Sequence, residues 1–249
     1  MMTTEAAALE DIRNALAGHG LHVLGVASAR PGEIEPDHGD GNPARTLILV
    51  GNAGSSMWPA FSASPEYRAG QPDPLDRWSR RIGDHLAATF GLRALYPFGG
   101  PPHHPFQRWA LRTAGVHPSP LRLQIHPEFG LWHAYRFALL GALTGIAAPV
   151  RPADAAPCLV CVTRPCLEAC PVGAFDHGGY DAGACQAHLR DHPAGDCATR
   201  GCAARHACPV GAAYRYRRAH ARFHMCAFVV ANVAVENTIG RAMTQRSNP

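Results

Sequence analysis

Eight cysteines fall between Cys158 and Cys208, in two runs that each close on Cys-Pro-Val-Gly-Ala. The first run is Cys158-x2-Cys161-x4-Cys166-x3-Cys170-Pro171, and the second is Cys185-x11-Cys197-x4-Cys202-x5-Cys208-Pro209. Nothing else in the chain constrains the fold as tightly. A cubane cluster requires four thiolates at the corners of a tetrahedron. Three can come from one tight loop and the fourth must come from elsewhere. Proline after the last cysteine turns the chain out of the loop, and the glycine two residues on allows close backbone approach.

The bacterial ferredoxin run C-x2-C-x2-C-x3-C-P uses three cysteines for one cluster and sends the fourth to the other. Carrying that pairing over gives one set of Cys158, Cys161, Cys166 and Cys208, and a second of Cys170, Cys185, Cys197 and Cys202. Both loops are longer than the standard run, the second more so. Zinc in four-cysteine sites and disulfides compete with this reading. Zinc sites usually show paired short spacings without the trailing Pro-Val-Gly repeat. His177, His188, His192 and His206 lie among the cysteines and are alternative ligands, as in Rieske centres. The ninth cysteine, Cys226, falls in an apolar helical stretch and reads as a buried free thiol.

The chain has 249 residues, 47% hydrophobic and 17% charged, a profile that excludes a disordered chain. All its basic side chains besides histidine are arginine, and the net charge is +4. These arginines form no dense run interleaved with aromatics, which argues against a nucleic-acid partner. No stretch is apolar enough to span a membrane. Residues Met1 to Gly18 lack the basic and apolar regions of an export signal, so a cytoplasmic location is expected, where thiols stay reduced and bind metal.

Leu9, Ile12 and Leu16 recur at helical spacing within Glu5–Ala17. Leu21–Ala27 and Thr46–Gly51 read as strands, with a Gly/Pro/Asp-rich loop over Ser28–Arg45. Pro74–Phe90 reads as an amphipathic helix stopped by Gly91, and Phe106–Ala114 as another. Leu121–His126 and Leu131–Leu140 read as antiparallel strands joined by a turn at His126-Pro127-Glu128-Phe129-Gly130. Thr144–Pro157 reads as a linker and Val210–Val235 as a closing helix. The predicted fold class is α+β, with a sandwich domain over residues 1–147 and an α-rich cysteine domain over 148–249.

The cysteine region resembles the dicluster ferredoxin module of epoxyqueuosine reductase, in which a full four-cysteine motif is followed by an isolated cysteine and three more ending in Cys-Pro. The stretches Pro105–Val116 and Leu121–Leu140 are similar to the cobalamin-binding core shared by epoxyqueuosine reductases, cobalamin-processing decyanase/dealkylases and reductive dehalogenases. The phrase from His126 to Trp132, with Arg136 following, is closest to the cobalamin-processing group. The resemblance implies a nitroreductase-like sandwich followed by a ferredoxin-like domain. It also implies two four-iron four-sulfur clusters, and a corrinoid contacted by His126, Pro127, Phe129, Gly130, Trp132 and Arg136. By the residues alone, the same phrase reads equally as a hairpin turn with Phe129 and Trp132 as packed aromatics. Gly99-Gly100-Pro101-Pro102-His103-His104 stands where epoxyqueuosine reductases carry an acidic residue, so that substrate is not expected. His103 or His104 could serve as a proton donor there.

The expectation is therefore a cobalamin-linked iron–sulfur oxidoreductase. Electrons from an external donor (a flavodoxin, ferredoxin or reductase) would pass through both clusters to cobalt. The outcome would be removal of the corrinoid's upper ligand or reduction of a small substrate. The alternatives are a dicluster electron-transfer protein with no corrinoid, and a flavin-binding nitroreductase relative.

Overall fold

A computed structural model describes residues 4–28, 46–113, 115–143, 156–176 and 179–230. The expected loop over Ser28–Arg45 and linker over Thr144–Pro157 lie almost entirely outside them, as do His177 and the proposed domain boundary.

Helix α1 (Thr4–Ala17) carries Leu9, Ile12 and Leu16 on one buried stripe. Strands β1 (His22–Ser28) and β2 (Thr46–Ala53) follow. Two short helices, α2 (Trp58–Ser62) and α3 (Pro65–Arg68), lead to α4 (Pro74–Phe90). Pro74 opens α4 and Gly91, at φ 64°, closes it by donating its N–H to Ala87 O, so both ends fall where the sequence places them. Strand β3 (Arg93–Leu95) and helix α5 (Phe106–Thr113) come next, then β4 (His117–Pro118), β5 (Gln124–Ile125) and β6 (His133–Gly141).

Four strands form one antiparallel sheet in the order β1-β2-β6-β3. Alternation along the two central strands sorts their side chains onto two faces. Ile48, Val50, Phe137 and Leu139 pack with Leu16, Trp78, Ile82 and Leu86 of α1 and α4. Leu47, Leu49, Ala138 and Leu140 pack with Phe106, Trp109 and Ala110 of α5. A strand buried on both faces reads as a continuous apolar run, which is why Thr46-Leu47-Ile48-Leu49-Val50 shows no alternation in sequence. The α+β class stands.

Two expected elements are corrected. Leu121–His126 is not one strand paired with β6. Only Gln124–Ile125 is extended, and it pairs with β4, because Arg122 sits at φ 58° and His126 already belongs to a turn. The closing helix starts later than Val210. Gly211 is left-handed (φ 70°) and a single 3-10 turn over Ala212–Tyr214 intervenes before helix α10 (218–230). Helix α10 returns to the first half of the chain, where Phe223 lies 5.8 Å from the Trp58 ring and 5.3 Å from Phe61. Among the described residues no helix is long and apolar enough to cross a membrane.

Candidate metal centres

Short helices separated by turns carry the cysteines: α6 (Pro165–Glu168), α7 (Ala182–Asp191), α8 (Asp196–Arg200) and α9 (Ala203–Ala207). Small residues and prolines leave no length for a long helix. Position is instead set by the close packing of α6 against α9 and by an apolar bed of Leu121, Ile125 and Leu131 beneath Cys166 and Cys208.

The thiols sort themselves by which feel each other's charge. Burial raises the Cys158 thiol above its usual range, and the charges of Cys208, Cys166 and Cys161 raise it further. Burial and then Cys208 do the same for Cys166. Cys208 is raised by burial and by Cys161, against its hydrogen bond with the Val210 backbone and the pull of Arg215. These four are the first expected set. Cys185 is raised by burial and by Cys170 and Cys197, opposed by a hydrogen bond from Tyr180. Cys202 is raised by burial and by Cys197 and Cys185. Cys170, Cys185, Cys197 and Cys202 line one pocket together with Phe175 and Met225. The second expected set is thus also gathered, and the Ala174 N–H lies 3.3 Å from Cys170 Sγ.

Among the described residues no three His, Cys, Asp or Glu side chains are spaced to share a single metal ion. One tetrahedral zinc, at Zn–S near 2.3 Å, would draw its sulfurs to about 3.8 Å from one another. A cubane spreads its thiolates wider, each on a different iron. Four thiols per set, with backbone amides bonded at Cys166, Cys208 and Cys170 and the Tyr180 hydroxyl at Cys185, are the donor chemistry that a cluster would take. Binding would have to displace the thiol protons that burial now holds.

Of the histidines here, His192 bonds the His188 carbonyl at 3.1 Å and His206 bonds Arg200 O at 2.9 Å, while His188 lines the same pocket as the second cysteine set. Cys226 is corrected from the buried thiol expected: it is exposed, on the outer side of α10.

The expected corrinoid contacts have a different setting. His126 and Gly130 exchange backbone hydrogen bonds at 2.8 and 2.9 Å, closing a tight turn around Pro127. His126 Nδ1 accepts the N–H groups of Glu128 and Phe129, and its ring stacks on Phe129 at 4.3 Å. The turn is wedged against the second Pro-Val-Gly-Ala repeat. Phe129 meets the Tyr214 ring at 4.9 Å, and Tyr214 donates to Glu128 at 2.6 Å. Trp132 is buried beneath the Arg205 guanidinium, 4.3 Å from its ring. Arg205 also donates to Leu131 O. Five of the six residues thus build the joint between sheet and cysteine region. His103, bonded to Gly99 O at 2.9 Å, and His104, stacked on Trp109 at 5.9 Å, lie in the preceding loop.

Arg136 is the exception. Val50 pairs with Phe137 and Gly51 with Tyr135, so Arg136 is the extra residue of a β-bulge. Its Nε is buried with no hydrogen-bond partner, and burial pushes its pKa down against the favourable charges of Tyr216 and Asp76. Around it lie side chains that the sequence reading did not single out: Tyr216, His220 and His224, with Ser55 and Arg205 behind them. The His-x3-His spacing on an apolar helix was the one visible sign of them. Comparison of the chain with protein-family models and with curated proteins finds no match.

Proposed function

We propose that this chain is an iron–sulfur oxidoreductase holding two four-iron four-sulfur clusters, one on Cys158, Cys161, Cys166 and Cys208 and the other on Cys170, Cys185, Cys197 and Cys202. The observation that carries the reading is the gathering of Cys170, Cys185, Cys197 and Cys202 around one pocket, with Cys158, Cys166 and Cys208 packed in the adjoining apolar cluster. When bound, such clusters supply one-electron transfer at potentials set by burial and by hydrogen bonds to sulfur. The protein's part is to exclude water with Leu121, Ile125, Leu131 and Phe175, and to aim the Ala174 amide and the Tyr180 hydroxyl at sulfur.

In this proposal the sheet region is nitroreductase-like and presents a corrinoid as electron acceptor, following the sequence resemblance. Of the six expected contacts, five take part in the joint with the cysteine region, and Trp132 Nε1 and Arg136 Nε are buried without a hydrogen-bond partner. That observation favours a second reading, a dicluster electron-transfer protein that hands electrons to another acceptor. Anaerobic titration of the iron-loaded protein with cobalamin separates the two. A shift to the base-off spectrum supports a corrinoid enzyme, and an unchanged spectrum at micromolar cobalamin leaves the electron-transfer protein.

A further inference from the structure

Ser55, His220 and His224 form a continuous hydrogen-bonded chain. The Arg217 N–H donates to Ser55 Oγ at 2.8 Å, Ser55 Oγ lies 3.0 Å from His220 Nδ1, and His220 Nε2 lies 3.0 Å from His224 Nε2. His220 has no exposed surface, while Ser55 and His224 each keep some. The two histidines sit one helical turn apart on α10. The His220 ring is clamped between Tyr216 at 4.0 Å and Trp58 at 5.1 Å, so it is held in place along the chain.

Two imidazoles facing each other through Nε2 can share only one hydrogen there. The chain therefore has two complementary arrangements. In one, the Ser55 hydroxyl donates to His220, His220 donates to His224, and His224 carries its hydrogen on Nδ1. In the other every bond is reversed, the Ser55 hydrogen points outward and His224 Nδ1 is bare. Passing from the first to the second moves one proton from the Ser55 end to the His224 end. Neither ring becomes charged at rest.

The surroundings enforce that neutrality. His224 is desolvated and faces Arg136, His220 and Arg205; His220 is desolvated and faces Arg136 and Arg205. Asp76 faces Arg136, and Tyr216 lies on both histidine rings. An imidazolium beside these cations is disfavoured, so a proton crosses by concerted exchange. Beside both rings stands Arg136, whose Nε is buried with no hydrogen-bond partner.

We propose that Ser55, His220 and His224 are a proton relay serving a ligand held at Arg136, an electron acceptor whose reduction leaves or expels an anion. This rests on the reading of the chain as a reductase. One electron leaves a reduced cluster, which is oxidised, and enters the acceptor. The resulting anion takes the hydrogen from His224 Nδ1. His224 Nε2 takes that of His220, His220 Nδ1 takes that of Ser55, and Ser55 takes one from water. One proton enters and one is delivered.

Two measurements on the full, iron-loaded chain test this. Nitrogen NMR of 15N-histidine protein, with the clusters oxidised, reads the tautomers directly. Both rings are expected neutral at pH 6–8, and both Ser55→Ala and His220→Phe are expected to shift the His224 nitrogens. A charged ring at pH 6, or His224 nitrogens indifferent to both substitutions, overturns the relay. The second uses cyanocobalamin as probe and titanium(III) citrate as reductant, reading release of hydrogen cyanide. His220→Phe, which keeps the ring stack, is expected to slow release by about a hundredfold or more and to abolish its solvent isotope effect, with iron content unchanged. An unchanged rate and isotope effect overturn the relay. Wild-type protein that neither binds nor turns over cyanocobalamin overturns the corrinoid reading instead, and the NMR result then decides the relay.

Discussion

Gly130 abuts the backbone of Val210: a Cβ on Gly130 would fall 2.0 Å from the Val210 carbonyl oxygen. Gly211 answers from the other side, where a Cβ would lie 2.3 Å from the Phe129 carbonyl carbon. Both glycines are left-handed, at φ 57° and 70°. The turn after β5 and the end of the second cysteine run are therefore seated backbone to backbone. Gly130→Ala combines an unfavourable φ with an unavoidable clash. A loss of about 2–4 kcal/mol is expected, read as a lower urea midpoint together with lower iron retention.

Iron and acid-labile sulfide should each approach about eight per chain after anaerobic reconstitution. Cys166→Ser removes a ligand from the first proposed set while Cys170, Cys185, Cys197 and Cys202 remain, so about half of both should survive. A variant that still holds the full complement would break the assignment of Cys166.

Cys226 is exposed and outside both sets. It should react with iodoacetamide in the native, iron-loaded protein while the other eight are protected. Cys226→Ser should leave iron content and melting temperature within error of wild type.

Arg205 reaches Trp132 at 4.3 Å and Tyr216 at 4.5 Å, and also bonds Leu131 O. A planar guanidinium can stack and donate at once, whereas an ammonium cannot do both. Arg205→Lys should cost about 1–3 kcal/mol, measured by urea unfolding, although charge is preserved.

Burial lowers His133 to about 4 and His220 to about 3, while the unfolded chain titrates both near 6.5. Between these values the unfolded state binds more protons, so stability is held above about pH 6.5 and lost as pH falls toward the folded pKa. Each group contributes at most about 1.4 kcal/mol per pH unit in that window. Urea midpoints at pH 7.5 and 5.0 should differ more for wild type than for His220→Phe.

The local signals that were legible in sequence are those with a single cause. Pro74 and Gly91 fix the ends of α4, and the central strands announce themselves by apolar runs. The pairing of the cysteines into two sets carries over the ferredoxin pattern, in which the fourth thiolate of a run reaches across. What could not be read depends on contacts between distant segments. The Phe129-Gly130 turn has the same composition whether it faces a ligand or another stretch of backbone. Only the approach of Val210 shows which backbone it meets. Cys226 sits in an apolar sequence, yet the face of α10 packed inward is the one bearing His220 and Phe223. Ser55 and His220 are 165 positions apart, and no local pattern joins them.

Phe223 and His220 fill the space beside Trp58 and Phe61, in a core otherwise made of residues that precede the cysteine segment. A helix that follows the thiol-bearing segment thus completes a hydrophobic layer begun before it. Under the proposed function, biosynthesis and metal loading would be linked in consequence. A nascent chain cannot finish its sheet domain before the cysteine segment has emerged, and oxidative loss of iron would loosen the anchor that holds α10 in place. Oxygen damage to the cysteine region should then register as early melting of the distant sheet.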